Sequence, residues 1–268
     1  MMRKVGIIAG NGTLPIVIAK TARAQNCEVF ICAIQDEADK SLTSFATKVE
    51  WVVLGQLKKL VNFFKRSQVT EAVMAGKITK TNLFKGEIRP DLDMVKVIAG
   101  TCDHKDDTLL GAIANYLESK DIHLLSSVAF LGSELPKKGV LSKQKPNRED
   151  QEEIEFGWNM AKQIAALDIG QTVVTKKKAV VAVEAIEGTD QTILRAGELV
   201  SKSAAVFKVA KPNQDMRFDV PTIGLTTLDS MIRAGIRMLV IEAGKTILLD
   251  QEEFFKKANQ HKMIVIAK

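Results

Sequence analysis

The chain has 268 residues, of which 46% are hydrophobic but only 5% aromatic, and a formal charge of +6. That much aliphatic content excludes a disordered chain and suffices for one large or two ordinary α/β domains. The scarcity of aromatics speaks against a base-stacking groove, so no nucleic-acid partner is expected, whereas the cationic balance suits phosphorylated metabolites or anionic lipid.

In chain order, residues 5–9 form a continuous apolar strand, and Gly10-Asn11-Gly12-Thr13-Leu14-Pro15 then opens a helix to about residue 26. Strands are expected over 29–34, 51–54 and 72–75, with an amphipathic helix carrying Leu57, Leu60, Val61 and Phe64 on one face. Helices over 91–98 and 107–119 and a strand near 122–130 complete a parallel sheet of Rossmann-like type. The stretch PKKGVLSKQKPNR, 136–148, holds two prolines and five cations with little periodicity and reads as a linker. An acidic start, Glu149 to Glu153, opens a long helix to about residue 167. Strands then fall near 173–175, 179–184, 205–209, 239–242, 246–249 and 263–267, separated in part by helices over 191–200, 226–234 and 251–260. The expected architecture is α/β in two domains: a Rossmann-like parallel-sheet domain over 1–135, a linker over 136–148, and an α/β domain with a mixed sheet over 149–268.

Cys27, Cys32 and Cys102 form no CxxC pair, which leaves reduced core thiols rather than a disulfide framework or zinc site. The N-terminus turns polar too early for a signal peptide, and no apolar run reaches the roughly 18 residues of a spanning helix. A soluble, cytoplasmic protein is expected.

Three polar clusters carry chemistry. The turn Gly10-Asn11-Gly12-Thr13-Leu14 lies between strand and helix, where backbone N–H groups can cradle a phosphate. It departs from the dinucleotide fingerprint because Pro15 stands where the third glycine belongs; Asp36, near the end of the second strand, keeps an NAD(P)-binding oxidoreductase open as an alternative. Glu184-Ala-Ile-Glu-Gly188-Thr189-Asp190 leaves a strand and enters a helix; Glu184 at an apolar strand end requires a cation or hydrogen-bond donors, and Thr189 or Asp190 suits a helix cap. The loop KPNQDMRFD, 211–219, supplies Lys211 and Arg217 for phosphate, Gln214 as a donor, and Asp215 and Asp219 for a hard cation or for activating water. Pro221 after it suggests an edge strand. Lys77 after Gly76 is a further phosphate candidate, and His104, with Asp103 beside it, has no partner histidine at ligand spacing. If these clusters were only structural, the chain would be a non-catalytic nucleotide or phospholipid carrier.

Taken together, VGIIAGNGTLP (5–15), GQLKKL (55–60), MAGKI (74–78), LDIGQTVV (167–174), AVEAIEGTD (182–190), KPNQDMRFDVPTIG (211–224) and IEAGKTILLD (241–250) resemble the LpxI-type UDP-2,3-diacylglucosamine pyrophosphatases of lipid A biosynthesis. The resemblance spans nearly the whole chain. It implies hydrolysis of UDP-2,3-diacylglucosamine to UMP and 2,3-diacylglucosamine 1-phosphate, substrate held between two domains, magnesium or another divalent cation, a homodimer, and a cytoplasmic site of action peripheral to the inner membrane. By motif it places the essential aspartate at Asp219, with Asp215 as the nearest rival. On that reading Asp219, Asp215, Glu184 and Asp190 surround the metal. Gly10, Asn11, Gly12, Thr13, Leu14, Lys77, Gly188, Thr189, Lys211, Gln214 and Arg217 then contact substrate. Two departures fall in the N-terminal half: the family often has three consecutive glycines where this chain has Gly10-Asn11-Gly12, and an arginine-proline commonly follows its GK segment, where Lys77 here leads into Ile-Thr-Lys-Thr.

Overall fold

Residues 2–78, 89–101, 106–132, 135–200, 203–218 and 220–268 are described by the computed structural model. The apolar runs of the first half become parallel strands because each is covered on both faces. Strand β1 (Lys4–Ala9) lies at the centre, flanked by β2 (Glu28–Ile34) and β4 (Glu71–Ala75), with β3 (Lys48–Val52) and β5 (His123–Leu124) outside them. The order β3-β2-β1-β4-β5 means that the chain moves outward from β1 and then reverses to the other side of it. Helices α1 (Leu14–Ala24), α2 (Leu57–Arg66), α3 (Leu92–Ala99) and α4 (Asp106–Glu118) accompany the strands. In α2 the expected stripe is present: Leu57, Leu60, Val61 and Phe64 are buried, joined by Phe63. The strand expected over 122–130 stops after two residues: the Leu125 N–H still donates to the Ala72 carbonyl of β4 at 2.8 Å, but the Ser127 N–H turns to the Met216 carbonyl of a distant segment. Cys27 and Cys32 are buried, and burial, assisted by Glu50, pushes the Cys32 thiol up to about 12, as suits an inert core thiol. Cys102, Asp103 and His104 lie outside the described residues.

The chain divides into two units, Met1–Leu131 with Met216–Asp219, and Gly132–Asp215 with Val220–Lys268. The second unit holds a six-stranded sheet in the order β6-β13-β11-β9-β7-β8. Its centre, β9 (Ala205–Lys208), β11 (Met238–Ile241) and β13 (Ile264–Ala267), is parallel. Strands β7 (Thr172–Lys176), β8 (Ala179–Val183) and β6 (Gly139–Val140) run antiparallel to their neighbours, which makes the sheet mixed. The stretch 136–148 is therefore not free of regular structure: β6 pairs with β13, and the Leu141 N–H donates to the Val265 carbonyl at 2.8 Å. It ends in a capping box, Asn147 accepting from the Asp150 N–H at 2.8 Å and Asp150 from the Asn147 N–H at 3.0 Å, which starts α5 (Arg148–Ala166). A short pair, β10 (Thr222–Ile223) with β12 (Ile247–Leu248), and helices α6 (Thr189–Leu199), α7 (Leu225–Ala234) and α8 (Gln251–Gln260) complete the unit. Among the described residues no helix is long and apolar enough to cross a membrane.

Helix α5 packs on the central strands through Gly157, where an added Cβ would stand 2.2 Å from the Phe207 ring. Gly157→Ala is therefore expected to lower stability by about 1–3 kcal/mol through overpacking, despite alanine's better helix propensity. Gly111→Ala in α4, where nothing lies within 4 Å of the added carbon, is the control and should hold or gain stability in urea titrations.

Candidate active site

The carboxyl edge of the parallel sheet in the first unit is where the strand order reverses, and open α/β sheets bind ligands at that point. Here β1 ends at Ala9 and the next residues cross to β4. The Asn11 N–H donates to the Lys77 carbonyl at 2.8 Å, and the Lys77 N–H to the Asn11 carbonyl at 2.9 Å. Two glycines make this approach possible. A Cβ on Gly10 would lie 2.5 Å from the Lys77 carbonyl oxygen, and one on Gly76, at φ +90°, would lie 2.7 Å from that of Asn11. Gly10 thus has a packing role whatever else the turn does. Asn11, Gly12 and Thr13 are exposed, and no side chain caps α1, which carries proline in its first turn. Pro15 has no N–H and the Ile16 N–H is taken by the Thr13 carbonyl at 3.0 Å, so an anion here would be met by the N–H groups of residues 12–14 and by the macrodipole. Asn11 and Lys77, 66 residues apart in sequence, are brought side by side.

Arg217 joins the same edge. Its carbonyl accepts from Ser127 Oγ at 2.8 Å, and the same hydroxyl lies 2.8 Å from the carbonyl of Met74 in β4. Phe218 is buried in the apolar cluster that includes Ile8, Phe30 and Leu124. The loop that reads in sequence as a single polar stretch is therefore divided: its second part belongs to the first unit and its first part to the second. Asp219 lies outside the described residues.

In the second unit, Lys211 Nζ pairs with Asp168 at 2.7 Å, and Gln214 Oε1 accepts from the Lys211 N–H at 3.2 Å, closing its own turn. Asp215 also has an interaction partner. Glu184, at the end of β8, finds the cation its position demands in Lys208 from the end of β9. Their charged atoms are 3.5 Å apart, and their side chains are 13% and 8% exposed. Thr189 ties the pair together, donating to Glu184 at 2.8 Å and accepting from Lys208 Nζ at 2.6 Å, while Thr172 accepts from Lys208 at 3.3 Å. Burial alone would raise the Glu184 carboxyl, but the Lys208 charge and hydrogen bonds from Thr172, Thr189 and Lys208 hold it below the usual carboxylate range. Thr189 and Asp190 do not cap α6; Gly188 is its N-cap, at φ +82°, because Thr189 is turned inward to the ion pair. Asp190 Oδ1 is buried without a hydrogen-bond partner.

A second buried pair was not foreseen. Glu242, 8% exposed after β11, accepts from Lys162 at 2.9 Å and from the Ala210 N–H at 2.9 Å, with Lys245 at 3.1 Å. Burial opposes its ionisation, but these donors hold its carboxyl below the usual range. Lys208 and Glu242 share a sequence signal: each charge sits inside or beside an apolar strand run and must have a buried partner. Among the described residues no three His, Cys, Asp or Glu side chains gather so as to hold a metal ion. Glu184 in particular is already neutralised by an ammonium that a cation in the same place would repel.

The fold and these edges define a two-domain α/β protein with an anion-suited turn at the switch point of its first sheet. Residues 4–133 match the family described as the LpxI N-terminal domain and residues 137–266 that described as the LpxI C-terminal domain. The chain belongs to the LpxI family. It is similar to the UDP-2,3-diacylglucosamine pyrophosphatase LpxI of Caulobacter vibrioides, with 28% identity over 276 aligned positions covering 99% of this chain and 97% of that protein. Among solved structures, glycinamide-RNase-transformylase T from Mycobacterium tuberculosis aligns at 14% identity and a TM-score of 0.26, over 68% of this chain and 44% of that one. Phosphoribosylglycinamide synthetase from Anaerococcus prevotii aligns at 13% and 0.27, over 76% and 44%. Superpositions this loose carry no argument.

Proposed function

We propose that this chain hydrolyses the pyrophosphate bond of UDP-2,3-diacylglucosamine, yielding UMP and 2,3-diacylglucosamine 1-phosphate. The observation that carries the reading is the convergence of the turn at residues 10–14, Lys77 and the Arg217 backbone on one carboxyl edge of the first sheet. A pyrophosphate diester bears two negative charges that repel an incoming nucleophile. Charge neutralisation and alignment are thus the main tasks of the protein. The N–H groups of residues 12–14, ahead of α1, bind phosphate oxygens, and Lys77 and Arg217 neutralise the charge that develops there. Asp219 orients water and takes its proton as the oxygen adds to phosphorus; the P–O bond breaks, and the bridging oxygen leaves with the other phosphate.

A divalent cation, magnesium by ligand hardness, is part of the proposal. Glu184 does not fit as its ligand, so the loop carboxylates Asp215 and Asp219 are the groups assigned to hold it. When bound, such an ion polarises phosphate oxygens and adds positive charge. In the second unit, the ion pairs with Glu184 and Glu242 fix the strand ends around which the remaining motif residues are arranged. The net charge of +6 suits work at an anionic lipid surface, where the acylated substrate resides, and a cytoplasmic homodimer belongs to the same reading.

A UMP-release assay with the diacylated substrate tests it directly. Turnover is expected with magnesium, to fall at least about 100-fold in chelator, and to return when the ion is restored. Full activity in chelator would remove the metal from the proposal; no UMP under any condition would remove the reaction.

A further inference from the structure

Ser127 is 2% exposed and lies in the turn after β5, outside any strand or helix. Its N–H donates to the Met216 carbonyl at 2.7 Å, and its hydroxyl lies 2.8 Å from each of two carbonyls, Met74 and Arg217. The single hydroxyl proton serves one of these at a time, but both are held at bonding distance from one buried atom. Ser126 adds a bond from its own hydroxyl to the Met216 carbonyl at 3.0 Å. The Phe218 ring is 6% exposed within the first unit's core. Three successive residues, 216 to 218, are thus pinned by backbone and by a buried ring. The Arg217 guanidinium lies 5.7 Å from the Phe218 ring centre.

This arrangement exceeds what ending a strand requires. Met74 is the penultimate residue of β4, three positions before Lys77, so the clasp sets the origin of the Arg217 side chain at the strand end that delivers Lys77. We propose that Ser127 is a positioning residue for pyrophosphate hydrolysis: by fixing the Arg217 backbone against β4, it makes Arg217 and Lys77 act on the same phosphate groups. The inference rests on the reaction proposed above. A long cation on an unanchored loop would spend its binding free energy on ordering itself, whereas one launched from a fixed carbonyl is ordered beforehand.

The test compares Ser127→Ala in the full-length chain with Arg217→Ala and with the double variant, reading UMP release and hydrogen exchange. Ser127→Ala is expected to lower kcat roughly 10- to 100-fold with KM within about threefold, and to speed amide exchange over 216–218. In the Arg217→Ala background the same change should cost less than about twofold, because the group being positioned is gone. If Ser127→Ala does not fold, Ser126→Ala removes the 3.0 Å bond to Met216 and a local 3.3 Å bond from the Val128 N–H, leaves the Ser127 bonds in place, and should act in the same direction at about three- to tenfold. Equal losses in both backgrounds, or normal turnover despite faster exchange at 216–218, would overturn the proposal. A wild-type protein that released no UMP would sink the reaction instead, and is told apart because the exchange measurement needs no turnover.

Discussion

Asp219→Asn is expected to lower the rate of UMP release by about three orders of magnitude while leaving folding intact. The two side chains are nearly isosteric, so the difference is charge and basicity. An amide neither accepts a proton from water nor attracts a divalent cation strongly, and both capacities are asked of this position. The neighbouring Asp215 cannot stand in merely by being acidic: a base must lie within hydrogen-bond reach of the attacking water, and Asp215 is four residues away in the chain. If Asp219 is the water-orienting group, the loss should fall on kcat and leave UMP affinity unchanged, which calorimetry with UMP would show. Near-normal turnover in the folded variant would move the assignment to Asp215, and Asp215→Asn would then carry the large effect.

The second large effect concerns stability. Lys208→Met should cost about 3–5 kcal/mol at neutral pH, because it strands the buried Glu184 carboxylate without its cation. The sign of the pH dependence follows from the native pair. Glu184 titrates below the usual carboxylate range in the folded protein, so its contribution is present above the unfolded-state pKa and fades as pH falls through the folded one. In the variant the balance reverses: burial now favours the protonated acid, and the penalty is greatest at neutral pH and shrinks on acidification. Urea titrations of both proteins between pH 4 and 8 should therefore converge at the acid end. Adding Glu184→Gln to Lys208→Met should restore much of the loss, since an amide buried beside Thr172 and Thr189 can be hydrogen-bonded without a counter-ion. A small, pH-independent effect would mean that the pair is solvated and contributes little.

Much of the architecture was open to reading from the chain. The run at 5–9 and its counterparts are apolar on both faces, a pattern that belongs to parallel strands, and the observed bounds differ by one to three residues in most cases. The exceptions are instructive. The strand expected near 122–130 yields to a clasp on residues 216–218, since Ser126 and Ser127 bond to carbonyls about 90 positions away. No local pattern announces such a partner. The stretch 136–148 has the composition of a linker but supplies an edge strand, because at a sheet edge proline and lysine are tolerated as well as they are in a loop.

For the site, sequence by itself determined which residue types are present and that they cluster in motifs: the glycine turn, the acidic segment after β8 and the loop at 211–219. It also required that Glu184 have a partner, since an unpaired carboxylate cannot be left in an apolar strand end. What only the tertiary structure decided is which groups meet. Lys208, a charge within an apolar run, likewise required a buried partner, but that the two meet was decided only when β8 and β9 were placed on either side of β7. Asn11 and Lys77 became neighbours through two glycines, and the motif loop was split between the two units. The physical reason is common to all three: short-range periodicity is written in consecutive residues, whereas a buried charge or carbonyl takes whichever partner the packed strands bring within about 3 Å.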